Sequence, residues 1–214
     1  MFPTLYAILD DSLIPADEPA RWVALAAALA AAGCPLMQVR AKQADSRTQL
    51  EIATQLARSL ESTRVRLIVN DRADVALLAG AGGVHVGQHD LEVAHARSIC
   101  GAPMWVGVST HTLDQVRAAD KTSADYIAFG PIFPTTTKSK PDALVGIEGL
   151  RAARAATRKP LVAIGGITLE RARDVYRAGA DSLAVVSDLL RARDPGARTQ
   201  EYLAIAADAI GAPR

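Results

Sequence analysis

The sequence predicts a single-domain (β/α)8 barrel over residues 1–214, on three observations. An Ala-rich amphipathic segment, a small-residue break and a short β-branched run recur along the chain. The strand-like runs number eight, and helical patterns separate nearly all of them. No Gly-x-Gly-x-x-Gly follows the first run, where an open dinucleotide-binding sheet would carry it.

In chain order, the strand candidates are Leu5–Leu9, Leu36–Arg40, Arg66–Val69, Val84–Val86, Met104–Val108, Tyr126–Phe129, Leu161–Ile164 and Ser182–Val186. They are near-continuous apolar runs, the pattern of parallel strands covered on both faces. Helical periodicity marks Pro19–Ala32, Thr48–Glu61, Leu91–Ile99, Leu113–Ala119, Glu148–Ala156 and Leu169–Ala178. The junctions AAAGCPLMQVR (30–40), LLAGAGGVHVG (77–87) and YRAGADSLAVVS (176–187) place Gly33, Gly80 and Gly179 just past helix ends, as left-handed caps. No Pro/Ser/Gly-rich linker divides the chain, and 214 residues is near the short end for eight units.

Composition narrows the partners. Half the chain is apolar, and 24 basic residues nearly cancel 23 acidic ones, which argues against nucleic acid or an anionic membrane. Cys34 and Cys100 have neither metal spacing nor a disulfide framework and read as buried thiols. The acidic N-terminal stretch is no signal peptide, and the longest apolar stretch, Trp22 to Met37, is broken by Gly33 and Pro35. A soluble cytoplasmic protein acting on small molecules is expected. The sequence leaves a homo-oligomer open.

In a β/α barrel the loops after the strands share one face, and that face carries the chemistry. Here those positions are polar: Gln38, Arg40 and Lys42, sharing strand parity; Asn70 and Asp71; Gln88, His89 and Asp90; Ser109 to His111; Gly165 and Gly166; and Ser187. The sixth strand is followed by GPIFPTTTKSKPDALVG (130–146), long for a connection without a period of its own. Arg40, Lys42 and Lys138 are three cations, and Asp71 and Asp90 are two carboxylates suited to Mg2+. With the metal these leave a net +3, matching a diphosphate of roughly −3. Gly165-Gly166 and the Val186-Ser187 turn fall where barrels bind a second phosphate by backbone N–H groups. A branched side chain at Gly166 is then expected to occupy that phosphate's space. Carboxylates neutralised by lysine, and glycines that merely make turns, are the plainer alternatives.

Other motifs carry less. Gly107 to His111 lacks the second glycine of a nucleophile elbow, and Lys138-Ser139 lacks the glycine of a nucleotide P-loop. His85, His89 and His95 do not have the spacing of a zinc set.

Taken in order, QVRAK (38–42), VND (69–71), GGVHVGQHDL (82–91), GVSTHT (107–112), GPIFPTTTK (130–138), AIGGI (163–167) and VVS (185–187) resemble the motif set of thiamine-phosphate synthases over residues 5–190. The resemblance implies a transferase that joins hydroxymethylpyrimidine diphosphate to a thiazole phosphate and releases pyrophosphate. It assigns Gln38, Arg40, Lys42, Asn70, Ser109 and Lys138 to the pyrimidine diphosphate, with Val39 and Ala41 as the spacers of the binding run. Asp71 and Asp90 would bind Mg2+; Thr135, Thr137, Gly166, Val186 and Ser187 would hold the thiazole phosphate, with Thr136 in a variable slot between the threonines. Arg40, Lys42, Ser109 and Lys138 are the expected catalytic set. The family's reaction is regarded as dissociative, with a proton-free nitrogen lone pair as nucleophile, so no triad or histidine base is required. A thiazole tautomerase of the same superfamily would need neither the metal pair nor the cations. A non-catalytic precursor sensor would bind without turnover. Whether the thiazole arrives with a carboxylate is not set by the sequence.

Overall fold

The computed structural model describes residues 2–135 and 143–211. Eight parallel strands close in chain order into a barrel: β1 (Leu5–Asp10), β2 (Leu36–Arg40), β3 (Arg66–Asn70), β4 (Gly83–Val86), β5 (Trp105–Thr110), β6 (Tyr126–Phe129), β7 (Leu161–Ile164) and β8 (Ser182–Val185). Around it run α1 (Pro19–Ala31), α2 (Ser46–Leu60), α3 (Ala73–Leu78), α4 (Val93–Cys100), α5 (Leu113–Asp120), α6 (Gly146–Ala156), α7 (Leu169–Arg177), α8 (Ser187–Leu190) and α9 (Pro195–Gly211). Every strand read from the sequence is present, with ends moved by no more than two residues. Gly33, Gly80 and Gly179 have φ of 92°, 68° and 109°, the left-handed conformation expected past a helix end.

Three helices escape the sequence reading: α3, α8 and α9. The first two have six and four residues, too few turns for a 3.6-residue period to emerge. The third is Ala-rich, with little apolar contrast between its faces, yet it closes the ring against α7 and α1. Its Tyr202 is fully buried and donates to Asp188 Oδ2 at 2.8 Å.

Strand side chains alternate, so the fold has two cores. One lies between strands and helices and includes Leu9, Trp22, Met37, Val69, Val106 and Leu183. The other fills the barrel interior: Tyr6, Ile8, Leu36, Ile68, Tyr126, Ala128, Val162 and Ala184. At the end of the barrel where the strands begin, Phe2 stacks on Trp105 at 5.3 Å and the Arg66 guanidinium lies 4.2 Å over that indole. At this end too, Arg97 binds Asp125 and Arg154 binds Asp181. Each aspartate also accepts a strand N–H, from Val106 and Leu161 respectively. At the far end the inward positions turn from apolar to polar.

Candidate active site

Five polar side chains cross the barrel interior as one hydrogen-bonded series. Gln38 Nε2 donates to Tyr6 Oη at 2.6 Å, Tyr6 Oη meets Tyr126 Oη at 2.9 Å, and Tyr126 Oη meets His85 Nδ1 at 3.0 Å. His85 Nε2 then meets Ser109 Oγ at 2.8 Å. The residues come from β2, β1, β6, β4 and β5, which only barrel closure brings together. One proton order satisfies the series: each tyrosine hydroxyl donates onward, Nδ1 accepts, and the Nε2 proton goes to Ser109, whose own proton points out of the series. Burial holds the imidazolium off, bringing the His85 pKa down to about 4 against a weaker opposing pull from Asp90. Burial likewise raises both tyrosines above the ordinary phenol range. The series is therefore uncharged at neutral pH.

Beside it lies an ionic cluster on β1 to β4. Arg40 Nη1 donates to Asp10 Oδ2 at 2.5 Å, and Lys42 Nζ lies 2.7 Å from Asp71 Oδ2. Asp71 has φ of 61°, and its N–H donates to His85 O at 2.7 Å, a turn that aims the carboxylate across the strand end. Asp90 Oδ2 accepts from Gly87 N at 2.8 Å; a Cβ at Gly87 would stand 2.7 Å from that oxygen. Burial raises the Asp71 pKa most; Lys42 opposes the rise, and the nearby Asp90 carboxyl reinforces it. Lys42, Gln49, Asn70, Asp71, Arg72 and Asp90 line a cleft of ≈ 270 Å³. Among the described residues no group of three or more His, Cys, Asp or Glu gathers as a metal set. A cation held here has two carboxylates to use, and Mg2+ completes such a shell with ligand oxygens and water.

On the opposite side, Gly165 and Gly166 have φ of 99° and 60°. Arg171 Nη1 donates to Gly166 O at 2.8 Å while its guanidinium lies 4.6 Å over the Phe133 ring, tying the turn after β7 to the segment after β6. A Cβ at Gly166 would stand 2.4 Å from Pro134 O and 2.8 Å from Phe133 Cβ. A branched residue at Gly166 would strike Phe133 and Pro134, so such a variant disturbs the segment after β6 as well as any ligand bound there. Val186 leads into α8 with φ −115° and ψ −88°, and Ser187 is its first residue.

The structure places Gln38, Arg40, Lys42, Asn70, Asp71, Asp90 and Ser109 on β2 to β5 or just beyond them, and Thr135, Gly166, Val186 and Ser187 after β6 to β8. Val39 packs into the core between strands and helices, Ala41 is buried beside it, and both line the cleft. Thr136, Thr137 and Lys138 lie outside the described residues. Sequence reasoning missed Tyr6, Asp10, His85, Tyr126 and Arg171 as contributors. Parity was the available signal for four of them, since polar side chains at inward positions of apolar strands need partners across a barrel.

The sequence profile of the thiamine monophosphate synthase family matches residues 5–189. The chain is 50% identical over 204 residues to the thiamine-phosphate synthase of Koribacter versatilis, covering 95% of each chain. To that of Chlorobium luteolum it is 38% identical, over 95% of this chain and 92% of the relative. The solved structure of thiamine phosphate pyrophosphorylase from Pyrococcus furiosus superposes with a TM-score of 0.86 at 33% identity, over 97% of both chains. A match over nearly the whole barrel, at these identities, settles the family. The chain belongs to the thiamine monophosphate synthase family.

Proposed function

We propose that the protein condenses hydroxymethylpyrimidine diphosphate with a thiazole phosphate to give thiamine phosphate and pyrophosphate, using Mg2+. The observation that carries this reading is the facing pair Asp71 and Asp90 beside Lys42 and Arg40 at the ends of β2 to β4. Two adjoining carboxylates, one with its proton affinity raised by burial and further by the other, suit a hard divalent cation better than a second proton. Asp71 and Asp90 would hold Mg2+, which would neutralise charge on the diphosphate. Arg40, Lys42 and Lys138 bind the same oxygens and stabilise the charge that grows as the carbon–oxygen bond breaks.

The uncharged wall of Gln38, Tyr6, Tyr126, His85 and Ser109 forms the floor beneath the pyrimidine. Towards a pyrimidinylmethyl cation formed there this floor presents dipoles and no positive charge, so neutral His85 suits the step better than imidazolium would. The thiazole nitrogen attacks with a lone pair and releases no proton, so the step needs no general base. Gly166, Val186, Ser187 and Thr135 hold the thiazole phosphate on the other side; Thr137 is assigned to the same phosphate, with Thr136 between the threonines in sequence. The two anion sites then lie across the barrel mouth, and positioning supplies much of the acceleration.

Purified protein should release pyrophosphate only when both substrates and Mg2+ are present. Release from the pyrimidine diphosphate alone at the same rate would make it a hydrolase, and tight thiazole-phosphate binding without release would make it a sensor.

A further inference from the structure

Arg40 is held by one residue that the substrate assignments leave unused. Asp10 and Arg40 are register partners on β1 and β2, and Asp10 is fully buried. Its Oδ2 accepts from Arg40 Nη1 at 2.5 Å and its Oδ1 accepts from Ser12 N at 2.9 Å, so both oxygens are fixed. Asp11 N donates in turn to Arg40 O at 3.0 Å, locking the two strand ends together. A guanidinium has five N–H donors in a rigid fork, so one bond to Asp10 sets the direction of the rest. The Arg40 side chain keeps 22% of its surface exposed, whereas that of Asp10 is fully buried.

We propose that Asp10 is a positioning residue for the diphosphate: it aims Arg40, and its buried charge is retained for that purpose although it opposes the ligand electrostatically. The proposal rests on the reading of Arg40 as a diphosphate ligand. It has a consequence whose sign is decisive. Asp10 lowers the site charge by one, from the +3 of Arg40, Lys42, Lys138, the metal and its two carboxylates to +2. Were Asp10 only a neutralising neighbour, removing its charge would tighten binding of an anion. Were it a positioning residue, removal would free the guanidinium to rotate and would weaken binding.

The test measures Mg2+-pyrophosphate affinity by calorimetry for wild type, Asp10→Asn, Arg40→Ala and the double variant, with thiazole phosphate as the control ligand. Asp10→Asn should weaken pyrophosphate binding tenfold or more, whereas with Arg40 already removed the same substitution should weaken it no further, so the double variant binds as tightly as Arg40→Ala or tighter. Thiazole-phosphate affinity should stay constant throughout. Asp10→Asn binding as tightly as wild type, or tighter, overturns the proposal; so does a double variant clearly weaker than Arg40→Ala. An Arg40→Ala protein with wild-type affinity instead overturns the underlying assignment of Arg40. Should Asp10→Asn not fold, guanidinium chloride added at low concentration to Arg40→Ala and to the double variant replaces it. Tightening of pyrophosphate binding in the first alone supports a guanidinium held by Asp10. Equal tightening in both, or none in either, contradicts it.

Discussion

Gly107 and Tyr126 occupy one space between them: a Cβ at Gly107 would lie 2.1 Å from Tyr126 Cζ and 2.4 Å from its hydroxyl oxygen. The same atom would stand 2.5 Å from His85 Nδ1. The missing side chain on β5 is what lets a tyrosine from β6 reach across the barrel to both Tyr6 and His85. Gly107→Ala should therefore overpack the interior, costing about 1–3 kcal/mol in urea unfolding and displacing the ring. Tyr126→Phe keeps the ring but strands two buried groups, at about 1–3 kcal/mol. If Gly107→Ala kept full stability and turnover, the interior would be looser than these distances allow.

His85 gives the protein an acid-side weakness with a calculable sign. Its folded pKa, about 4, lies below the ordinary histidine value. As pH falls from about 6.5 toward 4, the unfolded chain takes up a proton that native His85 refuses, so stability drops by about 1.4 kcal/mol per pH unit. The loss approaches about 3 kcal/mol across that window, is absent above it, and stops growing below the folded pKa. Subtracting the unfolding free energies of His85→Asn from those of wild type between pH 7 and pH 4 should isolate this slope. A flat difference would mean that the imidazole is not held neutral.

Asp71→Asn separates the metal role from the structural one. Asparagine tolerates the positive φ of 61° that this turn requires, and it removes one of two facing carboxylates. The variant should unfold at the same urea concentration as wild type within about 0.5 kcal/mol. Its Mg2+ requirement should rise at least tenfold in a pyrophosphate-release titration. Asp90→Asn should behave in the same way, since Asp90 supplies the other oxygen set.

Much of this arrangement is visible in the sequence, because β/α periodicity and strand-end polarity are local signals. Gln38, Arg40, Asn70, Asp71, Asp90 and Ser109 can be read as strand-end polar groups from their own neighbourhoods. Asp10 cannot, since its significance depends on Arg40, thirty residues away in sequence and opposite it in register. Tyr6 and Tyr126 sit in runs that read as apolar strands, and their hydroxyls gain a purpose only when closure sets them 2.9 Å apart. The clash at Gly166 was invisible for the same reason, as Pro134 approaches only when the segment after β6 folds back over β7. Short α3 and low-contrast α9 escaped for want of periodicity.

Arg171 joins the turn after β7 to Phe133, and neither partner is a charged group. Arg171→Ala should loosen the thiazole-phosphate side, raising KM for that substrate roughly tenfold, about 1.4 kcal/mol, with KM for the pyrimidine diphosphate unchanged. Arg171→Lys restores charge without the planar stacking surface and should recover little of the loss. Equal effects on both substrates would assign Arg171 to general stability.

Two separate anion sites on one barrel face are tested most directly by calorimetry with each ligand alone on Arg40→Ala and Arg171→Ala, both confirmed folded by circular dichroism. Arg40→Ala should weaken the Mg2+-diphosphate by a few kcal/mol, as loss of a charge-assisted contact does, and leave thiazole phosphate within about twofold. Arg171→Ala should show the reverse pattern. If both variants weaken both ligands to the same extent, the mouth of the barrel holds one shared phosphate pocket, and the assignment of the diphosphate to the β1–β5 side and the thiazole phosphate to the β6–β8 side is wrong.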